Sequence, residues 1–384
     1  MLLGERSHAA FRQDGNRKPL PRIGPVIAAL RYPLLLASAL VSGSLAAQAY
    51  FAHGDWAAAC DASRSCTALA LPPANAAEGM DLVLLRDGGA HDRVVWIDLM
   101  PRAGLPLDLH ARLFADDHPL FPIGDAHILL DAIAEGRADQ LRITASEEIE
   151  ALLGALRKAS RIRLVAEGRS LGDASAEGAS AVLLWIDERQ GRVGRENALI
   201  RRGPVAADRD FPPPPRPPEI PHRRAVLVGE QEVASAALAA AHARLPQGWC
   251  EPLSAEERED RVWRLSGVDR LLVEIDCARA RDGRITRWFL VERGSAEPLV
   301  FRRPAIDRRQ GGTVALEALV EAVFDPMRGE IRSWERLRSR DDCGRVSVFR
   351  DDGAGFALAE DRYLDRCRGA RPEVWPLLHS AAPP

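Results

Sequence analysis

The sequence has little lysine, and this absence bears on its partners. Only Lys18 and Lys158 carry an ammonium group, so arginine supplies nearly all of the positive charge. No stretch concentrates the arginines into a basic patch, and the net charge is −3 at pH 7 with neutral histidine. Because nucleic acids and anionic lipids are bound through dense positive charge, we expect neither as a partner.

The chain also lacks a hydrophobic run long enough to cross a membrane. Six basic and two acidic residues lie within residues 1–31, and residues 34–47 are uncharged. Fourteen residues of α-helix rise about 21 Å, less than the ~30 Å hydrocarbon core of a bilayer. This pattern, followed by small Ala47 and Ala49, is typical of a secretory signal peptide. We predict a signal peptide over residues 1–49, cleavage before Tyr50 and a periplasmic location.

A retained membrane anchor is the alternative interpretation of this N-terminal region. Arg31 and Pro33 interrupt the longer apolar stretch that such an anchor would need. Cleavage also removes more basic than acidic residues, so the mature chain is more acidic than the precursor. We therefore expect no stable membrane span after cleavage.

No Cys-x-x-Cys pair occurs in the chain, which argues against a zinc site built from cysteines. An even number of cysteines in an exported chain favours disulfide bonds instead, and six cysteines allow fifteen connectivities. We predict the sequential one: Cys60–Cys66, Cys250–Cys277 and Cys343–Cys367.

A proline-rich segment divides the mature chain. Residues 211–221 contain seven prolines, which favours an extended polyproline II course and a semi-rigid spacer. A ligand for a proline-binding groove is the alternative. We predict an N-terminal domain over residues 50–208, a linker over 209–223 and a C-terminal domain over 224–384.

The predicted fold class is α+β in two disulfide-stapled domains. The N-terminal domain is mixed α+β: strands over 82–86, 94–98, 107–114 and 162–166, and helices over 126–135, 146–158 and 174–189. The C-terminal domain is mainly antiparallel β with one alanine-rich helix over 231–245, and its strands lie over 271–278, 285–292, 346–350 and 356–359.

Short motifs spread along the mature chain resemble a known family. Near the C-terminus stand Asp341-Asp342-Cys343-Gly344, Asp352-Gly353, Phe356, Cys367-Arg368-Gly369 and Trp375-Pro376. Asp55-Trp56 before Cys60-Asp61, then Ser170-Leu171-Gly172, Ile186 to Arg192 and Ala198-Leu199, add to the pattern. Together they resemble the exported bacterial proteins of domain-of-unknown-function family 1176. The resemblance implies a soluble periplasmic protein of Gram-negative bacteria, with no assigned activity and no catalytic residue to carry over.

This chain departs from the family pattern in two places. Ala278-Arg279-Ala280-Arg281 stands where the family usually has Gly-Ala-Tyr-Asn. Arg338-Ser339-Arg340 replaces the glycine-rich segment that usually precedes the Asp-Cys-Gly motif. The opening is also faintly similar to the invasion-associated locus B family, on its tryptophan and cysteine spacing alone.

One motif has the form of a nucleophile elbow. Gly168-Arg169-Ser170-Leu171-Gly172 follows a predicted strand and precedes a predicted helix, as in serine hydrolases. The three histidines downstream, His222, His242 and His379, all lie beyond the start of the proline-rich segment. We therefore favour a structural role in which Ser170 ends the strand and caps the helix over 174–189.

Two groups of polar residues deserve comparison with known sites. The spacing of the densest set of possible metal ligands fits no known ligand motif, so we predict an ordinary solvated loop there. The set comprises His110, Asp116, Asp117, His118, Asp125 and His127. Acids beside glycine are usually turn formers rather than glycosidase carboxylates; these are Asp341, Asp342, Asp351 and Asp352. We expect no metal and no cofactor.

Five tryptophans lie beside cysteines or at strand ends, and we expect them to pack in the core: Trp56, Trp249, Trp263, Trp288 and Trp375. Without an assembled catalytic set, we favour a non-catalytic binding module of the cell envelope, with an unknown envelope protein or small ligand as partner. The alternatives are a secreted serine hydrolase using Ser170 and an inhibitor of a wall-degrading enzyme.

Overall fold

The computed structural model describes residues 49–90, 96–106, 110–124, 127, 137–250, 259–266, 269–280, 283–306 and 312–382. The described residues fall within one compact unit. Antiparallel sheets dominate this unit, and three α-helices accompany them among the described residues.

The part of the chain before the proline-rich segment contains twelve strands and two helices among the described residues. They are β1 (Tyr50–His53), β2 (Trp56–Cys60), β3 (Cys66–Ala70), β4 (Met80–Arg86), β5 (Trp96–Pro101), β6 (Leu105–Pro106), β7 (Ala111–Ala115), β8 (His118–Ile123), β9 (Arg137–Ala138), β10 (Leu141–Ile143), α1 (Ser146–Leu156), β11 (Arg161–Ala166), β12 (Arg169–Ser175) and α2 (Ala179–Arg189).

The part after the proline-rich segment is richer in strands. It contains β13 (Val226–Leu227), α3 (Gln231–Ala243), β14 (Arg261–Arg264), β15 (Arg270–Ala280), β16 (Gly283–Glu292), β17 (Ser295–Pro298), β18 (Phe301–Pro304), β19 (Thr313–Leu316), β20 (Leu319–Val320), β21 (Val323–Asp325), β22 (Glu330–Arg336), β23 (Gly344–Asp351), β24 (Phe356–Leu364), a 3-10 turn (Pro372–Val374) and β25 (Leu377–Ser380).

Four larger sheets carry the fold. Before the proline-rich segment the strand orders are β1-β2-β3-β4-β5-β10 and β12-β11-β7-β8. After it they are β13-β14-β15-β16-β17, with β20 beside β16, and β21-β22-β23-β24-β25. Neighbouring strands pair antiparallel, which agrees with the short turns that connect many of them.

The alanine-rich strand β2 is buried on both faces, which explains why its sequence shows no alternation of apolar and polar residues. Trp56 and Ala58 face the N-terminal core, whereas Ala57 and Ala59 face a second cluster that includes Trp375. Because side chains alternate between the faces of a strand, small residues at Ala57 and Ala59 allow the second layer to approach closely.

The sheet around β15 is likewise covered on both sides. Leu272 and Trp288 belong to a cluster with residues of β22 and β23, while Val273 and Phe289 pack towards α3. Alternation along β15 and β16 thus sends successive side chains into two different cores.

The six cysteines pair in the predicted sequential order. Cys60–Cys66 closes the β2–β3 hairpin, and these two cysteines are also register partners across the strands. Cys250–Cys277 ties the chain after α3 to β15, and Cys343–Cys367 ties the start of β23 to the segment after β24.

The predicted helix over 174–189 is wrong at its start. Ala174 and Ser175 belong to β12 and pair with β11, and α2 begins only at Ala179. Gly178 precedes the helix with a φ of 98°. A Cβ at this position would lie 2.0 Å from the carbonyl oxygen of His53, so tertiary packing requires glycine and fixes the start of the helix.

Other predicted boundaries need smaller corrections. Ser146 is the first residue of α1 rather than its N-cap, because Ala145 occupies the cap position without a side-chain hydrogen bond. The strand predicted over 107–114 is observed as β7, although residues 107–109 lie outside the described residues. The helix predicted over 126–135 also lies outside them, apart from His127.

Both ends of the proline-rich segment are fixed to the surrounding structure. Phe211 lies within 5.0–5.2 Å of the guanidinium carbons of three arginines. At the other end Ile220 is buried, and Pro218 accepts a 2.8 Å hydrogen bond from the backbone of Ala382. Tyr50 and Trp375, from opposite sides of the segment, also share one apolar cluster. The division into two separately folding domains stays a prediction.

No helix in the described ranges combines the length and the apolar character that a membrane crossing requires.

Candidate functional site

Ser170 lies in a hairpin, not in a nucleophile elbow. Gly168 occupies the turn between β11 and β12, which are antiparallel neighbours, so Ser170 is followed by the rest of β12 and not directly by a helix. The Ser170 hydroxyl donates a 3.0 Å hydrogen bond to Asp173, and no histidine partner for it appears among the described residues. The predicted helix-capping role is therefore also wrong, because the residue lies within a strand.

The possible metal ligands around His110, which we expected to form a solvated loop, do not assemble into a metal site within the described ranges. Asp116 sits in the β7–β8 turn with a φ of 52° and accepts hydrogen bonds from Ser160 and the backbone of Arg161. The hydrogen bond from Ser160 lowers the pKa of Asp116. His127 lies 2.9 Å from Glu148 instead, and Asp125 lies outside the described residues.

The hairpin of β7 and β8 contains two prolines, Pro119 and Pro122. Both lie in β8, the edge strand of its sheet. Proline is compatible with an edge strand because its missing N–H has no neighbour to pair with.

The paired acids act as turn formers and ion-pair partners. Asp352 accepts hydrogen bonds from the backbone N–H groups of Ala354 and Gly355, as expected for a turn. Asp342 pairs with Arg338, which lowers the pKa of the carboxyl, and it also accepts the Gly369 N–H. Asp342 lies close to two cysteine sulfurs, but these form a disulfide and are therefore closed to a metal ion.

Four of the five singled-out tryptophans are buried as expected: Trp56, Trp263, Trp288 and Trp375. Trp249 is the exception, with 45% of its surface exposed. Its ring stacks on the guanidinium of Arg287 at 4.1 Å, so it is held by a cation–π contact rather than by core packing.

A fully buried polar network was missed at the sequence level. Arg86 donates a 2.9 Å hydrogen bond to Asp187, and both side chains have no exposed surface. Asp187 also accepts the backbone N–H groups of Leu199 and Ile200 at 2.8 Å. Burial lowers the pKa of Arg86 to about 9, and nearby Arg192 adds to this effect. The network fixes the end of α2 against β4, which is a structural role.

Several motif residues that carry the family resemblance also meet at a structural contact. Asp55 and Arg368 form an ion pair of 2.7 Å, and Arg368 donates to the carbonyl of Pro72. Trp375 donates its indole N–H to the Ala370 carbonyl and is fully buried. These residues join the segment after Cys367 to the N-terminal sheet.

The strongest candidate site is a cleft on one face of the C-terminal sheet. Its volume is about 590 Å³, within the range of small-molecule sites. Charged side chains from β22, β23 and β24 project into it, together with His222 from the end of the proline-rich segment. The lining residues are His222, Asp325, Arg328, Glu330, Arg332, Val348, Arg350, Ala359, Glu360, Arg362, Glu373, Ser380, Ala381 and Ala382.

Strand register explains this convergence. Arg332 stands opposite Val348, Val348 opposite Glu360, and Glu360 opposite Ser380, so one row of side chains crosses four strands. Directly opposite residues on one face of an antiparallel pair lie about 5 Å apart, so the row forms a continuous surface.

Two ion pairs neutralise part of the cleft. Arg350 donates to Glu330 at 2.8 Å and to the carbonyl of Ile220 at 2.7 Å. Arg362 donates to Glu360 at 2.6 Å and to the carbonyl of Trp375 at 3.1 Å. These contacts hold both arginines in place.

Two charges in the cleft remain uncompensated. Arg332 and Glu373 are exposed, and neither side chain has a hydrogen-bond or ion-pair partner among the described residues. Arg328 is nearly free as well, since Asp325 lies 3.9 Å away. His222 lies 3.5 Å from Glu330 at the rim. Among the described lining residues, Arg332 and Glu373 are thus the cation and the anion that have no partner in the protein.

A second cavity, of about 620 Å³, lies beside Asp55. Its charged groups are largely satisfied, because Asp55 pairs with Arg368 and Arg161 lies 3.6 Å from Asp173. None of its described lining residues is a cation without a partner, so the cleft on the C-terminal sheet is the better candidate.

Comparison with known proteins gives a family without an assigned activity. The family model described as "Protein of unknown function (DUF1176)" matches residues 50–382. The chain is similar to the uncharacterized protein YpfG of Escherichia coli (strain K12), with 28% identity over 388 residues that cover 90% of this chain and 97% of YpfG. No solved structure matches. The chain therefore belongs to the DUF1176 family of proteins of unknown function.

Proposed function

We propose that this protein is a non-catalytic binding protein of the bacterial cell envelope, and that the cleft on the C-terminal sheet holds a small charged ligand. The observation that carries the proposal is the state of the cleft arginines. Arg350 and Arg362 are held by internal ion pairs, whereas Arg332 has no partner in the part of the chain that the structure describes. An uncompensated arginine in a preformed cleft supports recognition of an anionic group.

We propose a non-catalytic role because of the geometry around Ser170. Ser170, the one nucleophile with a suggestive motif, hydrogen-bonds to Asp173 within a hairpin. A serine nucleophile needs a base within hydrogen-bond reach, and a carboxylate alone is a poor activator. We expect no labelling of Ser170 by a fluorophosphonate probe.

The binding experiment uses the small-molecule fraction of a periplasmic extract and the mature chain. We expect this fraction to raise the melting temperature of the parent protein and to leave that of Arg332→Ala unchanged. Arg302→Ala is the matched control, because Arg302 is also exposed on a strand and has no side-chain partner in the described structure. An equal response of all three proteins, or no response, would overturn the proposal.

Export is the second part of the proposal. It is supported by the basic and apolar segments of residues 1–49 and by a family match that starts at Tyr50. Cell fractionation followed by N-terminal sequencing tests it. We expect periplasmic protein that begins at Tyr50; uncleaved protein in the cytoplasm would contradict this.

A further inference from the structure

We propose that the exposed part of the proline-rich segment, residues 212–219, is a docking ridge for a partner protein whose binding groove is lined with aromatic side chains. Proline rings pack between aromatic rings when the chain presents them in the polyproline II conformation. The docking ridge is a second site, and its partner is a protein rather than the small ligand of the cleft.

The chemistry of proline fixes the conformation of the docking ridge. Each residue from Phe211 to Pro217 except Pro215 precedes a proline, which disfavours the α region of the backbone. The pyrrolidine ring holds the φ of each proline at about −65°. No cis peptide bond occurs among the described residues, and residues 211–218 form neither helix, strand nor turn. These conditions together leave polyproline II, a left-handed helix with three residues per turn.

The burial of the segment shows which edge of this helix faces the protein. Because the helix repeats every three residues, every third residue from 211 to 220 lies along one edge. Phe211 and Pro217 are half-buried, Ile220 is buried, and the other residues of this range are exposed. All of the covered residues thus belong to one edge. The other two edges, residues 212, 215 and 218 and residues 213, 216 and 219, face solvent.

Contacts at both ends hold the docking ridge in this orientation. The guanidinium of Arg64 donates a 2.6 Å hydrogen bond to the carbonyl of Pro212. At the other end, the carbonyl of Ile220 accepts a 2.7 Å hydrogen bond from Arg350. Because both ends are fixed before a partner arrives, the segment loses little further conformational entropy on binding.

A spacer role does not explain this arrangement. A spacer keeps two bodies apart, whereas Tyr50 and Trp375, from the two sides of the segment, share one apolar cluster. The Asp55–Arg368 ion pair of 2.7 Å joins the same two parts of the chain. Since these parts are already in contact, their connection needs no stiff segment, and the exposed proline rings are left for another partner.

The outward edges define the chemistry of that partner. Pro212, Pro215 and Pro218 place three pyrrolidine rings in a row, about 9 Å apart at ~3.1 Å per residue. Aromatic side chains pack against such rings, so the partner presents a groove with tryptophan or tyrosine at this spacing. The second outward edge carries Arg216 and Glu219, whose charges are opposite, so binding should depend little on salt.

The test uses a purified SH3 domain and a purified WW domain, both of which bind polyproline II segments in aromatic-lined grooves. Each domain is isotope-labelled for NMR and titrated with the unlabelled mature chain, or with a free peptide of residues 209–221. We expect at least one domain to bind the mature chain as tightly as the peptide or more tightly, with chemical-shift changes confined to its aromatic groove. Binding of the peptide alone, or of neither, would overturn the inference.

Pro215→Ala and Pro214→Ala form a matched pair, because they make the same change on an outward edge and on the inward edge. Loss of two methylene groups from the contact should weaken the binding of Pro215→Ala about tenfold, while Pro214→Ala should bind as the parent does. Both residues are exposed, so any change in melting temperature should be the same for the two variants.

Two outcomes with these variants contradict the docking ridge. Equal weakening by both substitutions would overturn the inference, because binding would then follow proline content rather than the outward edge. A dimer of the parent in analytical ultracentrifugation that Pro215→Ala abolishes would overturn it in favour of a contact between copies of this chain.

Discussion

The hydroxyl of Tyr50 donates a 2.6 Å hydrogen bond to the carboxylate of Asp365, which lies 315 positions further along the chain. The ring of Tyr50 also packs edge-on against Tyr363 at 4.8 Å. The first described strand is thereby joined to the segment that follows β24, and burial raises the pKa of the phenol well above its usual value.

Replacing Tyr50 by phenylalanine removes this hydrogen bond and keeps the ring contact. We expect the free energy of unfolding to fall by about 1.5–3 kcal/mol, the typical contribution of a hydrogen bond to a charged group. Urea denaturation of the mature chain measures it. Tyr363→Phe is the control, because no partner of its hydroxyl is found in the described structure; an equal loss for both variants would contradict the assignment.

The disulfide Cys343–Cys367 holds the segment that docks on the N-terminal sheet. Its sequence separation of 24 predicts a loss of about 3.5 kcal/mol for the double serine variant, against about 2.3 kcal/mol for the shorter Cys60–Cys66 loop. Hydrogen exchange should increase first around Arg368, because its contacts to Asp55 and Pro72 depend on this segment. Unchanged protection there would argue against such a role.

The buried pair Arg86–Asp187 should be far more sensitive than an exposed pair. We expect Asp187→Ala to lower the free energy of unfolding by about 3–5 kcal/mol, since it leaves a buried guanidinium and two backbone N–H groups without their acceptor. Glu259→Ala, which removes the partner of exposed Arg261, should cost less than about 1 kcal/mol. Similar losses in chemical denaturation of the two variants would disprove the distinction.

Glu274 gives the fold a specific pH dependence. Burial raises its pKa from 4.5 to about 7, although Arg284 acts in the opposite direction. Because the folded state binds this proton more tightly than the unfolded state, its stabilising effect is complete below pH 4.5 and is lost as the pH rises through 7.

We therefore expect titration of Glu274 to lower the unfolding free energy of the parent by on the order of 3 kcal/mol between pH 4.5 and 8. This decrease should be absent from Glu274→Gln. Denaturation curves at several pH values compare the variant with the parent, so that other titrating groups cancel. Glu232→Gln on the exposed face of α3 should retain the parental slope. Identical slopes for parent and Glu274→Gln would refute the assignment.

Features that depend on local sequence were predictable. The hairpin of β23 and β24 follows from the Asp352-Gly353 turn, and α3 follows from its alanine-rich composition. The start of α2 was not predictable, because the close approach of Gly178 to His53 is a tertiary contact. Strand β2 shows no alternation because both faces are buried, so its sequence does not reveal what covers either face.

The cleft could not be located from the sequence either. Arg332, Glu360 and Glu373 are separated along the chain and meet only through strand register. Arginine is common throughout the sequence. The sequence alone therefore does not show which arginines form ion pairs in the folded protein and which do not. Only the folded structure shows that Arg332 lacks an ion-pair partner among the described residues.

Phe211 and Ile220 anchor the two ends of the proline-rich segment, while residues 212–216 between them are exposed. A protease that cut this stretch would consequently produce two fragments that stay associated through the cluster around Trp375 and the Asp55–Arg368 contact. Such nicked material would elute from a sizing column at the position of the intact chain and separate only in denaturant.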